Sequence, residues 1–300
     1  MSHLEDEIFN QPAAWATAIK RAAGAPLPAA GERVAVIGCG GSLNVSRAYA
    51  RLREQAGHGL TDAYPASEFP GTRTYDNMVF ISRTGTTSEV LAALRTVRAN
   101  TVRAGTGPAG VTTTAITTDP DAPLARETDH VVLLDYGSER SVVSSQFLSS
   151  AIVLARAHLG EDVTGLPAAA AAALARPLPD GLVDRTEFTF LGVGWAAFVA
   201  DAAALILREA SQSWAESYPA LEFRHGPISV ADPSTAVWAM GPIPASLAED
   251  SARTGATVLT EDTDPLVALT GAQRLAVALA EAKGINPDHP RSLSRSVIIA

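Results

Sequence analysis

Ile81-Ser82-Arg83-Thr84-Gly85-Thr86-Thr87 decides how this chain is read. Before it stands an apolar run, Met78-Val79-Phe80-Ile81. After it, Val90, Leu91, Leu94 and Val97 recur at helical spacing. The pattern is strand, tight loop, helix N-terminus. Backbone N–H groups at a helix start lack intrahelical partners, and hydroxyls beside them make a neutral anion cradle. A phosphate can sit there without a lysine. The same residues also read as an ordinary capped turn, because serine and threonine are favoured helix caps. On the loop alone the two readings stand level.

Outward from the loop, the strand–helix alternation continues. Arg33-Val34-Ala35-Val36-Ile37 is a strand of the buried type, ending in Gly38-Cys39-Gly40-Gly41-Ser42. A helix is expected from Asn44 to about Ala56, and an earlier amphipathic helix over residues 4–22. Further short apolar strands are expected at Thr113–Thr117 and Val131–Leu134. This is the pattern of an α/β fold, a parallel sheet flanked by helices and covered on both faces. Gly38-x-Gly40 invites a dinucleotide reading, but the third glycine of that motif is missing and position 43 is leucine. A glycine turn for close strand–helix packing is the better reading.

Gly160 to Asp180 reads as a connection, with Gly165, Pro167, Pro177 and Pro179 around an alanine-rich helical segment. Beyond it, Phe188-Thr189-Phe190-Leu191 reaches Gly192-Val193-Gly194-Trp195 and another helix, so the strand–glycine turn–helix unit recurs. Later strands are expected at Ala236–Met240 and Thr257–Thr260, and a long helix at Gly271–Lys283 closed by Gly284. Two related α/β domains follow: residues 1–165, an N-terminal helix plus the domain with the hydroxyl loop, and residues 180–300 with a C-terminal tail.

Composition bounds the function. The formal charge of −9 argues against a nucleic-acid partner. No apolar run approaches a membrane span, so no membrane partner is expected. The acidic, polar stretch Met1 to Gln11 is not a signal peptide. One cysteine, Cys39, excludes an intrachain disulfide and fits a reducing cytoplasm. The scattered histidines lack metal-ligand spacing, so no metal is expected. Lysine occurs only at Lys20 and Lys283.

Several separate segments resemble one family, the sugar isomerase (SIS) domain proteins, and within it the isomerase half of glucosamine-6-phosphate synthases. Glu7-Ile8-Phe9-Asn10-Gln11-Pro12 resembles the helix entering that half, and Cys39-Gly40-Gly41-Ser42 its Cys-Gly-Thr-Ser turn. Ala66-Ser67-Glu68-Phe69 resembles its Ala-Ser-Glu-Phe, and Ser82 to Thr87 its Ser-Gln-Ser-Gly-Glu-Thr phosphate loop. Glu139 to Ser145 resembles the loop over the sugar. Arg208-Glu209 and Arg224-His225-Gly226-Pro227 resemble its Lys-Glu and Lys-His-Gly-Pro. Asp288-His289-Pro290-Arg291 to Arg295-Ser296-Val297 resembles its tail.

The resemblance implies two tandem flavodoxin-like SIS domains, no cofactor, a sugar-phosphate substrate, and a homodimer with shared sites. It puts Ser42, Ser82, Thr84 and Thr87 on phosphate and sugar contacts, with Arg83 in the same loop. It puts Val142 and Ser144 on backbone or hydroxyl contacts to the sugar, with Gln146 where the synthase has lysine. Glu209 falls on the proton-abstracting base, and His225 on a ring-opening histidine supplied by the neighbouring subunit. Arg208 and Arg295 are placed to stabilise enolate charge. The bland reading makes Glu209 a solvated helix carboxylate and His225 a turn former.

Departures redirect the chemistry. No glutaminase half with a cysteine nucleophile is seen before residue 1. Arg295 stands where an imine-forming lysine is wanted, and arginine stays protonated. Ile206 replaces a helix lysine, Lys283 resembles a structural lysine, and Lys20 lies in the entry helix. Synthase activity is therefore not expected. Removing the carbon-2 proton of an amino-sugar 6-phosphate leads to isomerisation, to deamination if the amine is free, or to β-elimination. Elimination needs no imine-forming lysine, so the expectation leans to a lyase, a dehydratase acting on an N-acetylglucosamine 6-phosphate-like substrate. Glucosamine-6-phosphate isomerase/deaminase is the alternative, and a non-catalytic sugar-phosphate sensor the third.

Overall fold

The computed structural model describes residues 2–103 and 110–298. The chain divides into two compact units that do not follow chain order. One comprises residues 14–138, 147–163 and 295–300; the other 1–13, 139–146 and 164–294. The division expected from the sequence, residues 1–165 and 180–300, follows chain order. Helix α1, His3–Ala22, is itself divided between the two, and Pro12 lies inside it.

The first unit holds a five-stranded parallel sheet. Its strands are β1 (Val34–Gly38), β2 (Thr61–Pro65), β3 (Asn77–Ile81), β4 (Thr112–Thr117) and β5 (His130–Leu133), in the order β2-β1-β3-β4-β5. That is the strand order of flavodoxin-like doubly wound sheets. β1 and β3 are buried along their whole length, so both faces are covered. Alternate residues make the core on one face. Ala35, Ile37, Met78, Phe80 and Ala115 pack with Val90, Leu94 and Val97 of α3, Ser88–Arg103. Burying each such large side chain stabilises by roughly 1.5–3 kcal/mol. Helix α2, Gly41–Gln55, follows β1; α4, Pro123–Glu127, follows β4; and α5, Gln146–His158, follows the loop after β5.

The second unit holds β6 (Glu187–Gly192), β7 (Trp214–Pro219), β8 (Thr235–Ala239) and β9 (Thr257–Leu259), parallel in the order β7-β6-β8-β9. Its helices are α6 (Leu166–Ala175), α7 (Ala196–Ser211), α8 (Ala245–Arg253) and α9 (Pro265–Ala282).

Two glycines explain the repeated turn. A Cβ on Gly38 would lie 2.7 Å from backbone atoms of Ser42, and one on Gly192 would lie 2.2 Å from the Ala196 carbonyl oxygen. Each strand meets the following helix too closely for any side chain. This is the packing role read from the sequence. Helix α9 starts well before Gly271, capped by the Asp264 side chain, which accepts from Leu266 N–H at 3.0 Å. Its first turns are buried all round, which hides the amphipathic period.

Candidate functional site

In the first unit, β1 and β3 run in register, Gly38 beside Ile81. The turn Cys39–Ser42 and the loop Ser82–Thr87 therefore leave the sheet side by side at its C-terminal edge. Strand order reverses between β1 and β3, and such switch points are where open α/β sheets form ligand crevices.

The loop is built from its own hydroxyls. Ser82 Oγ lies 3.0 Å from Thr87 Oγ1 and accepts the Gly85 N–H at 3.1 Å. Thr84 Oγ1 lies 2.8 Å from Thr86 Oγ1. Gly85 has φ 64°, and a Cβ there would meet Ala122 Cβ at 2.4 Å, so the loop's tight bend requires glycine. Arg83, expected beside the substrate, is buried; its carbonyl accepts from Thr117 Oγ1, Thr118 N–H and Thr118 Oγ1. Ser42 is half-buried in the first turn of α2, where its N–H donates to Cys39 O at 3.0 Å. Burial pushes the Cys39 thiol above its ordinary pKa, so it is not an activated nucleophile.

The tail closes over this loop. Ser296 Oγ accepts from Thr86 at 2.9 Å and from Thr84 at 3.3 Å, and Val297 O accepts the Ser88 N–H at 3.1 Å. Ser296 was not foreseen as part of this arrangement. Arg295 beside it is exposed.

In the second unit, the loop 139–146 is pinned by buried carboxylates. Glu7 accepts from Arg140 N–H, Ser141 N–H and the Ser141 hydroxyl. Glu139 accepts from Ser145 N–H at 2.6 Å and from Ser144 Oγ at 3.2 Å. Desolvation raises the Glu7 pKa above its ordinary value, against the lowering effect of the Ser141 and Arg140 bonds; the nearby Glu139 charge adds to the rise. Two expected sugar contacts are committed here. Val142 N–H donates to Asp288 O at 3.1 Å, so this backbone donor is taken. Gln146 is buried, and its Oε1 accepts from Asn10 Nδ2 at 2.9 Å, holding α1 rather than reaching outward. Asp288 also accepts the His3 and Leu4 N–H groups, capping α1 with a residue from the far end of the chain.

Glu209 is half-buried near the C-terminus of α7. It lines an open depression of about 310 Å³ with Arg208, Gln212, Ser213, Pro290, Arg291 and Leu293. Arg208 Nη1 donates to Ala215 O at 2.6 Å, so one arm of this guanidinium is fixed. Arg291, from the tail segment, is a neighbour of Glu209 that the sequence does not predict, because no periodicity marks a tail residue for such a place. His225 ends a 3₁₀ turn, Ala220–His225, is exposed, and does not line this depression. Lys283 Nζ donates to Ser211 O and Ser213 Oγ, joining the ends of α9 and α7. Desolvation lowers its pKa. Among the described residues no cluster of His, Cys, Asp or Glu could hold a metal ion, and no helix is long and apolar enough to cross a membrane.

The SIS domain profile matches residues 29–156. Glutamine–fructose-6-phosphate aminotransferase (isomerizing) of Caulobacter vibrioides is 27% identical in an alignment covering 99% of this chain and 58% of that protein. The chain thus spans a little over half the length of this curated relative. Glucosamine-6-phosphate deaminase from Thermotoga maritima superposes with a TM-score of 0.81 at 24% identity, covering 99% of this chain and 100% of that one. The C-terminal domain of glucosamine-fructose-6-phosphate aminotransferase from Francisella tularensis gives 0.79 at 22% identity, covering 97% and 98%. These two likenesses show the fold.

Proposed function

This chain contains a SIS domain, and on that premise we propose that it is a phosphosugar enzyme acting on an amino-sugar 6-phosphate by removing its carbon-2 proton. The observation that carries the reading is Glu209, an accessible carboxylate in a depression that also holds Arg208 and Arg291. A base beside cationic groups suits a reaction in which negative charge builds on the enediol or enolamine. The hydroxyl loop Ser82–Thr87 holds the phosphate, with Ser42, Ser144 and Arg295 contributing to the substrate contacts.

The outcome we favour is isomerisation of glucosamine 6-phosphate followed by deamination. The proton leaves carbon 2 and returns to carbon 1, the resulting imine takes up water, and fructose 6-phosphate and ammonia are released. No lysine imine is required, which fits a chain with two lysines, one of them engaged by Ser211 and Ser213. The names of the similar proteins weigh the same way: one is a deaminase and two are isomerising or fructose-6-phosphate aminotransferases. They give no support to the dehydratase on N-acetylglucosamine 6-phosphate to which the sequence leaned. His225 opens the sugar ring in the site of a second copy, so the working form is a homodimer.

Incubation with glucosamine 6-phosphate and N-acetylglucosamine 6-phosphate in deuterated water, followed by NMR, tests this. Ammonia and a ketose from the free amine are expected. An unsaturated product from the acetylated sugar would establish elimination instead, and bound but unchanged sugars would establish a sensor.

A further inference from the structure

The depression around Glu209 holds a polar residue that the sequence does not single out. Of the described polar residues lining it, Ser213 alone is buried, while Arg208, Gln212 and Arg291 are exposed. Backbone of an uncommon kind places it there. Gln212, which follows α7, has φ 52° and ψ 30°, and Ser292 has φ 65°. Among the described residues these are the two non-glycine residues with left-handed backbone. One lines the depression, and the other lies between Arg291 and Leu293, which line it too. Such conformations cluster where a site holds its groups in place.

The Ser213 hydroxyl is oriented by its neighbours. Its oxygen accepts from Lys283 Nζ at 2.6 Å and from Ser211 Oγ at 2.8 Å. A hydroxyl oxygen has two lone pairs and one proton. Both lone pairs face donors, and among the described residues nothing accepts the proton. Lys283 Nζ also donates to Ser211 O at 3.0 Å, which fixes the ammonium. An ammonium cannot accept, so the Ser213 proton turns away from Lys283. The depression is the open side left to it.

We propose that Ser213 is a substrate contact, its hydroxyl donating to the oxygen on carbon 1, with Lys283 as the positioning residue that orients it. This rests on the reaction proposed above. When Glu209 takes the carbon-2 proton, charge spreads onto the carbon-1 oxygen, and a donor already aimed there acts most strongly as that charge develops. Lys283 is itself exposed, so its charge is screened and its part is to hold the hydroxyl.

Arabinonate 5-phosphate tests the contact without turnover, because its carboxylate has the charge and planarity of the enolate. Arabinitol 5-phosphate is the neutral counterpart. In calorimetric titration, Ser213→Ala is expected to weaken arabinonate 5-phosphate at least about tenfold, the order for one hydrogen bond to a charged group, and arabinitol 5-phosphate less. With glucosamine 6-phosphate, kcat is expected to fall by a similar factor while KM changes little. Lys283→Met is expected to weaken arabinonate 5-phosphate about threefold in the parent chain and not at all in Ser213→Ala, because it acts through that hydroxyl. An equal Lys283→Met loss in both backgrounds overturns the orienting role. A parent chain with no preference for arabinonate 5-phosphate, or a Ser213→Ala chain that keeps the preference in full, overturns the contact. A preference lost in Ser213→Ala, in a protein that releases no ammonia from glucosamine 6-phosphate, keeps the contact and removes the proposed reaction.

Discussion

Thr86 donates its hydroxyl to Ser296 Oγ across 2.9 Å, joining the hydroxyl loop to a residue 210 positions later in the chain. Together with the Ser88–Val297 backbone bond, this makes the tail a cap for the start of α3. Thr84 and Thr86 are thereby turned toward Ser296, while Ser82 and Thr87 face each other. On the reading proposed above, Ser82 and Thr87 are the first hydroxyls to test as phosphate contacts.

Replacing both, Ser82→Ala with Thr87→Ala, should weaken binding of glucosamine 6-phosphate far more than binding of unphosphorylated glucosamine. A hydrogen bond to a charged group is worth roughly 1.5–3 kcal/mol, so a loss of at least about tenfold is expected for the phosphorylated ligand. Calorimetric titration of both ligands checks this; unchanged phosphate-ligand affinity would refute the cradle.

Glu209→Gln keeps the shape of the side chain and removes its basicity. Turnover should fall by about 10²–10⁴-fold while ligand binding largely survives. Deuterium exchange at carbon 2 should fall in parallel. Exchange at the parental rate would place the base at another residue.

Complementation tests the shared site. Glu209→Gln and His225→Ala chains are each expected to be inactive. Mixed under conditions of demonstrated subunit exchange, they should regain activity, because one hybrid site carries both wild-type groups. No recovery would mean that His225 acts within its own chain or not at all.

Glu7 sets a pH dependence of stability. Its folded-state pKa lies above the ordinary 4.5, so between these values the native state binds more protons than the unfolded state. Stability contributed by the protonated group is present below 4.5 and is lost as pH rises through the folded-state value. Glu7→Gln should flatten this part of the profile. Urea denaturation from pH 4 upward reads it out, and an identical profile in the variant would show that Glu7 is not the group titrating.

Much of the fold is legible in the chain. β1 and β3 read as continuous apolar runs because both sheet faces are buried, and the α3 stripe Val90, Leu91, Leu94 and Val97 is the face that packs on them. Edge strands are different. β2 carries Asp62 and ends in Pro65, and β7 begins at the exposed Trp214, so neither shows a buried-strand pattern and neither is foreseen.

The candidate site divides in the same way. Ser82 to Thr87 announces itself, because strand, glycine bend and helix start are neighbours in sequence. The placement of Arg291 beside Glu209, the Ser296 bridge, the use of Val142 N–H by Asp288, and the interleaved compact units were decided by tertiary structure alone. Side-chain periodicity and turn chemistry act between residues a few positions apart and therefore leave a trace in the sequence. A hydrogen bond between residues hundreds of positions apart leaves no such trace, because its partners become neighbours only after the sheets and helices have packed.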